Sequence, residues 1–231
     1  GPAGCGLTRS DAAMTGGPMG PILGFDTAGK ACAVAIVQGG AVLAAAEEPL
    51  TRGHAERLLP LAEILLARAG LEWRDLAAVG AGTGPGNFTG IRICVAAARG
   101  LSLSLGVPAV GVSALEALAL DLPAPVVAVV AGRRDGLYAQ TFAVNGVASA
   151  PIATEARALA ALVPTGAVLV GDGAPELAGL TRAPVVAPAH PRAVAIAHLA
   201  AARAGTAVGR PTPLYLRRPD ATPVATAARP A

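Results

Sequence analysis

Three short extended stretches in a row, set by glycine turns, constrain this chain more than any other feature. Residues 22–28 (ILGFDTA) and 31–37 (ACAVAIV) are apolar runs flanking a Gly-Lys step, and Gly39-Gly40 turns the chain into AVLAAAEE. Turns this tight, with glycine free to take positive φ, predict a meander of three strands. From His54 to Ala69 the period becomes helical: Leu58, Leu61 and Leu65 form one stripe, Leu59 and Leu66 a second, and Gly70 the stop. Pro60 falls inside this pattern, so the helix kinks there or begins near it. A strand over 76–82, a glycine loop and a helix from Phe88 to Leu105 complete a β-β-β-α-β-α unit.

The order then returns. Residues 126–131 and 137–144 read as strands, Asn145-Gly146 turns into a third, and a helix follows near 154–163. VLVGDG (168–173) and a helix near 192–204 close the second unit. A tandem unit predicts an α/β chain of two similar lobes, over 20–112 and 113–205. The 231 residues are enough for two cores of this size.

Residues 1–18 have neither an apolar core nor a period, and read as a disordered leader with the natural start at Met14 or Met19. Residues 206–231 read as an irregular Pro/Arg-rich tail. Just over half of the chain is hydrophobic, yet no unbroken apolar run reaches the ~18–20 residues of a membrane span, and a soluble protein is expected. The three cysteines, Cys5, Cys32 and Cys94, are odd in number and scattered, as free thiols of a reducing cytoplasm would be. From His190 onward six arginines face one aspartate, a charge of +5, so the rest of the +3 chain carries −2. Such a tail is a solvated end or an RNA contact, with Tyr215 as its single aromatic and no stacking platform on its own.

The chemical motifs are weak ones. Gly24 to Ala31 (GFDTAGKA) nearly spells a phosphate loop, but Ala31 stands where a Mg²⁺-binding hydroxyl belongs and a strand follows where a helix should start. A hairpin tip explains it. The loop GTGPGNFTGIR (82–92) is spaced like a dinucleotide fingerprint, yet three strands precede it and no acid follows at the ribose distance. Two readings fit it: an anion site at a helix N-terminus, or a turn capped by Asn87. Ser113 and Glu116 form a capping box rather than a nucleophile elbow. No two of His54, His190 and His198 lie three or four residues apart, so no helix face offers a metal two imidazoles. Asp26 is a general base, a Mg²⁺-associated carboxylate, or the cap of its own turn. Nothing here assembles a nucleophile, base and orienter.

The duplicated pattern with its Asp-Thr turn resembles the actin/sugar-kinase/heat-shock ATPase superfamily, whose lobes are RNase H-like. Within it, ILGFDTAGKACAVAI, GHAERLLPLAEILL, the stretch from GTGPGNFTGIR to GVSALEALA, and PLYLRR near the end are similar to the TsaB family, from Ile22 to Arg218. That family, YeaZ-like and related to the M22 glycoproteases, serves formation of N6-threonylcarbamoyladenosine at adenosine 37 of tRNAs reading codons that begin with A. The resemblance implies a cytoplasmic, non-catalytic dimerization subunit that scaffolds and activates a TsaD-like catalytic partner, with a TsaE-like ATPase, and that can form a homodimer when alone. It implies no cofactor or metal of the chain's own; ATP or ADP and a metal belong to the partners or the subunit interface, and tRNA is the substrate of the complex. The catalytic relative's metal-binding histidines fall here on Ala114 and Leu118, and Ala131-Gly132-Arg133 stands where many relatives have Asp-Ala-Arg. Partner-binding positions are then His54, Arg57, Leu58, Leu61, Leu65, Phe88, Arg92, Ala96 and Ala97. Phe88 is expected to bury near the helix start, and Arg92 to reach an acidic group of the partner or cap the sheet. Asp26, Thr27, Gly84, Gly86 and Thr89 form the loop where a nucleotide could associate. Two alternatives remain: an ATPase, sugar kinase or M22-like peptidase built on Asp26, and a tRNA-binding module acting through the basic tail.

Overall fold

The computed structural model describes residues 20–132, 136–206 and 209–216. The leader over 1–18, Cys5, Arg133 and the tail beyond 216 lie outside the described residues. The first half runs β1 (Ile22–Asp26), β2 (Ala31–Gln38), β3 (Ala41–Pro49), α1 (His54–Arg68), β4 (Ala78–Gly82), α2 (Phe88–Leu105), β5 (Ala109–Val112) and α3 (Ala114–Ala119). The second runs β6 (Val126–Ala131), β7 (Gly136–Phe142), β8 (Ile152–Glu155), α4 (Ala156–Ala160), β9 (Val168–Val170), α5 (Ala174–Thr181), β10 (Val185–Val186) and α6 (Arg192–Arg203).

The repeated unit is therefore longer than β-β-β-α-β-α by one strand and one helix. The sheets have the same order, β3-β2-β1-β4-β5 and β8-β7-β6-β9-β10, with the meander antiparallel and the crossover strands parallel. Two sequence readings change. Ile152–Glu155 pairs with β7 as a strand because its β-branched residues alternate in burial, which leaves only Ala156–Ala160 helical. The helix at 192–203 corresponds to α3 rather than to α2. The counterpart of α2 is α5, whose eight residues include Pro175 and Gly179 and show too little period to stand out.

The closing helices are exchanged between lobes: α3 packs on β6, and α6 packs on β1, β2 and β4. The first sheet is thus covered on both faces. Because strand side chains alternate, Leu23, Phe25, Val34 and Ile36 meet α1 and α2, while Ile22, Ala33, Ala35 and Val37 meet α6. The approach of α6 is close enough that a Cβ on Gly24 would lie 2.5 Å from the Ala193 carbonyl oxygen. Glycine is the residue that fits there.

On α1, Leu58, Leu61, Leu65 and Leu66 are all 1–2 % exposed and face the first core. This corrects the reading of Leu58, Leu61 and Leu65 as partner-binding. A helix wedged between a sheet and a second helix uses a wide apolar face, so both leucine stripes are spent internally except for Leu59, which is 40 % exposed. Pro60 sits on the exposed side of a helix that begins at His54. Eighteen residues long with mean hydropathy 1.3, α2 meets the length and composition test for a membrane span, yet it carries Arg92 and Arg99 and packs on β4 and β5.

Candidate functional site

Five of the residues singled out in sequence converge on the joint between β4 and α2. Gly84 takes φ 88°, and its carbonyl accepts from the Ala114 N–H. The Asn87 N–H donates to the Ala28 carbonyl at 2.7 Å, while Asn87 Oδ1 accepts from the N–H groups of Thr89 (2.9 Å) and Gly90 (3.2 Å). A cap of this kind satisfies the orphan donors of a helix start. The same two N–H groups are the ones an anion would need at this terminus.

The joint is bolted to the β1–β2 turn. The Thr27 hydroxyl donates to the Gly90 carbonyl at 2.7 Å, and a Cβ on Gly90 would come within 1.9 Å of the Thr27 carbonyl oxygen. One on Gly86 would meet the Ala28 carbonyl oxygen at 2.6 Å. The glycines therefore bring two loops into backbone contact.

Asp26, at the end of β1, is 3 % exposed. Its Oδ1 accepts from the Ala28 N–H at 2.9 Å, and its Oδ2 accepts from Arg192 Nη1 at 3.1 Å. The arginine comes from the first turn of α6, so the pair ties the exchanged helix to the joint. Both carboxylate oxygens are thus engaged within the chain. The β1–β2 hairpin passes through Lys30 directly into a strand, as the hairpin-tip reading requires.

Behind this joint, Cys94 Sγ donates to the Phe25 carbonyl at 3.3 Å. Burial pushes its thiol well above the usual range and the Cys32 thiol up to about 11, so both are protonated and unreactive near neutrality.

The remaining partner-binding candidates separate into three groups. Arg57 forms a two-bond fork to Glu48 of β3, at 2.5 and 2.6 Å, which holds α1 on the sheet edge and keeps the Glu48 carboxyl below its usual range. His54 precedes it, its Nε2 buried without a hydrogen-bond partner. Ala96 is exposed on α2 and Ala97 half-buried against the core.

Phe88 and Arg92 precede Ala96 at four-residue spacing along the same exposed flank of α2. Phe88 is 43 % exposed rather than buried; its ring belongs to none of the cores and lies 3.8 Å under the Arg92 guanidinium. Arg92 Nε donates to the Tyr215 hydroxyl at 3.1 Å, and the Tyr215 ring stands 5.3 Å from that of Phe88.

Tyr215, within the PLYLRR stretch, belongs to a strap over 209–216 whose path the sequence does not indicate. Arg99 donates two hydrogen bonds to the Pro211 carbonyl, at 2.8 and 2.6 Å, and the Leu214 N–H donates to the Thr83 carbonyl. Leu216 packs on the core of the second lobe. The strap roofs a cavity of about 490 Å³ lined by Thr83, Ser113, Glu116, Arg203 and Thr206. In that wall burial works against the Glu116 carboxylate, but the Ser113 N–H and the Arg203 guanidinium outweigh it and hold its pKa below the usual range. Ser113 and Glu116 form the reciprocal capping box of α3. Contacts spanning more than 100 residues leave no local signal, which is why the pairings of Arg92 with Tyr215, Arg99 with Pro211 and Arg192 with Asp26 escape a reading by motif.

Two of the three histidines, His190 and His198, also lie close together. His190 Nε2 lies 2.7 Å from Asp121 Oδ2, with the ring of His198 5.4 Å away. Burial, then the neighbouring His190, lowers the pKa of His198. Among the described residues no three His, Cys, Asp or Glu side chains are grouped to hold a metal ion.

The fold and the joint can now be set beside known proteins. YeaZ from Pseudomonas aeruginosa shares the fold at a TM-score of 0.67 with 30 % identity, covering 86 % of this chain and all of that one. The chain belongs to the TsaB/YeaZ family. Its fold is accordingly of the actin/sugar-kinase/heat-shock ATPase type. An uncharacterized protein of Mycobacterium tuberculosis is 36 % identical over 206 residues, 88 % of this chain and 95 % of the relative. The tRNA threonylcarbamoyladenosine biosynthesis protein TsaB of Escherichia coli is 42 % identical over 98 residues, 42 % of each chain. The model of the family described as TsaD, tRNA N6-adenosine threonylcarbamoyltransferase, matches residues 46–169.

Proposed function

We propose that this chain is a non-catalytic subunit of the assembly that forms N6-threonylcarbamoyladenosine in tRNA, scaffolding and activating a TsaD-like partner. Membership of the TsaB/YeaZ family supports the pathway, through the name of the Escherichia coli relative. The observation that carries the subunit role is the state of Asp26: it is buried, its oxygens are taken by Ala28 and Arg192, and the adjacent helix terminus is closed by Asn87. A carboxylate so engaged is a structural anchor of two lobes rather than a free base or Mg²⁺ ligand. ATP or ADP and a metal, on this reading, are handled by the partners or at the subunit interface.

The partner face is the outer side of α1 and α2. Leu59 and Ile64 are 40 % and 39 % exposed on α1, and Leu103 is 82 % exposed on α2. Ala96, Gly100 and Leu103, at i, i+4 and i+7, share one strip of α2, where small residues allow a second helix to come near. The same strip can serve a homodimer when the partner is missing. The test is reconstitution: the chain, the TsaD-like and the TsaE-like proteins of the same genome, threonylcarbamoyl donor and tRNA, with each protein omitted in turn. Modification that requires this chain, with none from this chain alone, supports the reading; modified tRNA from this chain alone refutes it.

A further inference from the structure

We infer that Phe88, Arg92 and Tyr215 form a stacking platform for unpaired nucleotides of RNA, set in a basic face made by α2 and the strap. Only the choice of RNA over other polyanions rests on the proposed role in tRNA modification; the platform itself rests on geometry. The chain is poor in aromatic residues, at 3 %, and Phe25 is spent in the core. Phe88 and Tyr215 are nonetheless 43 % and 44 % exposed and stand side by side at 5.3 Å, brought together from 127 positions apart by the path of the strap. Two exposed rings held together cost apolar surface that a monomer gains little from leaving in water.

Charge points to the class of ligand. α2 and residues 209–216 together hold three arginines, Arg92, Arg99 and Arg210, and no aspartate or glutamate. The chain's net charge is +3, so everything else sums to zero. A cationic strip on an otherwise neutral chain is the electrostatic footprint of a polyanion site. Within the strip, the Arg92 guanidinium carbon lies 3.8 Å over the Phe88 ring centroid, and its Nε donates to the Tyr215 hydroxyl. An ordered guanidinium plane beside an exposed phenol ring offers consecutive bases two stacking surfaces and their phosphates a cation, which is the chemistry of single-strand recognition. A duplex, whose bases are covered, can use only the charge. Arginine and tyrosine also make good protein anchors, so a protein partner at this patch is the competing outcome.

The experiment measures fluorescence anisotropy of a 5′-labelled octamer of riboadenosine, and of the same length of RNA duplex, titrated with the purified full chain. The expected result is tighter binding of the octamer than of the duplex, weakened by salt. Phe88→Leu, which keeps apolar volume but removes the π face, and Arg92→Gln should each lower octamer affinity about tenfold with little change for the duplex. Tyr215→Phe, which keeps the ring but releases Arg92 Nε, should lower octamer affinity less than Phe88→Leu does. Thermal unfolding of each variant shows that the strap and fold are intact. An octamer that does not bind, or that Phe88→Leu binds as tightly as the parent, overturns the platform. Loss of the TsaD-like partner in these variants with RNA binding unchanged overturns it too and assigns the patch to a protein. If the octamer binds as expected while no TsaD-like protein is captured, the platform stands and the subunit role falls.

Discussion

The β4–α2 joint of the first lobe and the β9–α5 joint of the second occupy the same place in the same topology, and they are built to different ends. In both, a strand end leads through glycines into a helix. The first joint ends its neighbouring strand β1 on buried Asp26, locks it with Arg192, and launches eighteen residues of helix. The second ends β6 on Ala131, whose N–H donates to the exposed Asp172 at 2.9 Å, and launches eight. A short helix suffices to cover a sheet face. The length of α2 beyond that need, together with its exposed Leu103, is surface available to something outside the lobe.

Substitutions at matched positions can break this contrast. The largest effect is expected where both joints are equally tight. A Cβ at Gly90 meets the Thr27 carbonyl oxygen at 1.9 Å, and one at Gly171, which also has φ 112°, meets that of Val129 at 2.1 Å. Gly90→Ala and Gly171→Ala should each cost about 3 kcal/mol in urea unfolding, since neither backbone can give way. A cost near zero at either one would show that joint to be soft.

Next come the anchors, where the joints should differ. Arg192→Ala leaves the Asp26 carboxylate buried without its cation and should cost about 2 kcal/mol, less than a fully buried pair would because the arginine side chain is 26 % exposed. Asp172→Ala, removing an exposed acceptor, should cost under about 1 kcal/mol. Equal costs would erase the asymmetry on which the structural role of Asp26 rests.

A smaller effect tests the exchange of helices between lobes. Glu116 caps α3 and also pairs with Arg203 of α6 at 2.8 Å. Its folded pKa lies below the ordinary 4.5, so the unfolded chain takes up this proton first as pH falls. The stabilisation is present above pH 4.5 and lost as pH falls through the folded pKa. The stability gap between the parent and Glu116→Gln should therefore close in acid; a gap that widens there contradicts the pairing. Smallest of all, Gly100 and Gly179 lie inside α2 and α5 with nothing within 4 Å of a built Cβ. Each change to alanine should stabilise by about 0.5–1 kcal/mol, and stabilisation by Gly100→Ala alone would mean that α5 is held by packing that its own propensity does not limit.

The parts legible in sequence are those with local cause. The meander announces itself through Gly39-Gly40, α2 through Asn87 and its helical period, α3 through Ser113 and Glu116. The eight-residue α5 is hidden by Pro175 and Gly179, and the third strand that Asn145-Gly146 announces runs to Glu155, into the start of the helix expected near 154. The leucines of α1 show why periodicity gives a face but not its use: Leu58 and Leu59 look alike in sequence, and only the angle between sheet and α2 decides that one is 1 % exposed and the other 40 %. The site was half visible. Asp26, Thr27, Gly84, Gly86 and Thr89 do meet, but what closes them is Arg192, placed by a helix exchanged between lobes. Phe88 and Arg92 were visible as residues, whereas their engagement with Tyr215 depends on the strap's path.

The most direct test of the account is the affinity of the TsaD-like protein for this chain and for Leu59→Asp, Leu103→Asp and the double variant, measured by isothermal titration calorimetry. Both leucines lie outside the core, so the variants should unfold at the parent temperature. The account predicts that affinity falls by about 30-fold or more for the double variant, as expected when a charge enters an apolar contact. A double variant that folds normally and binds the partner with the parent's affinity would contradict it.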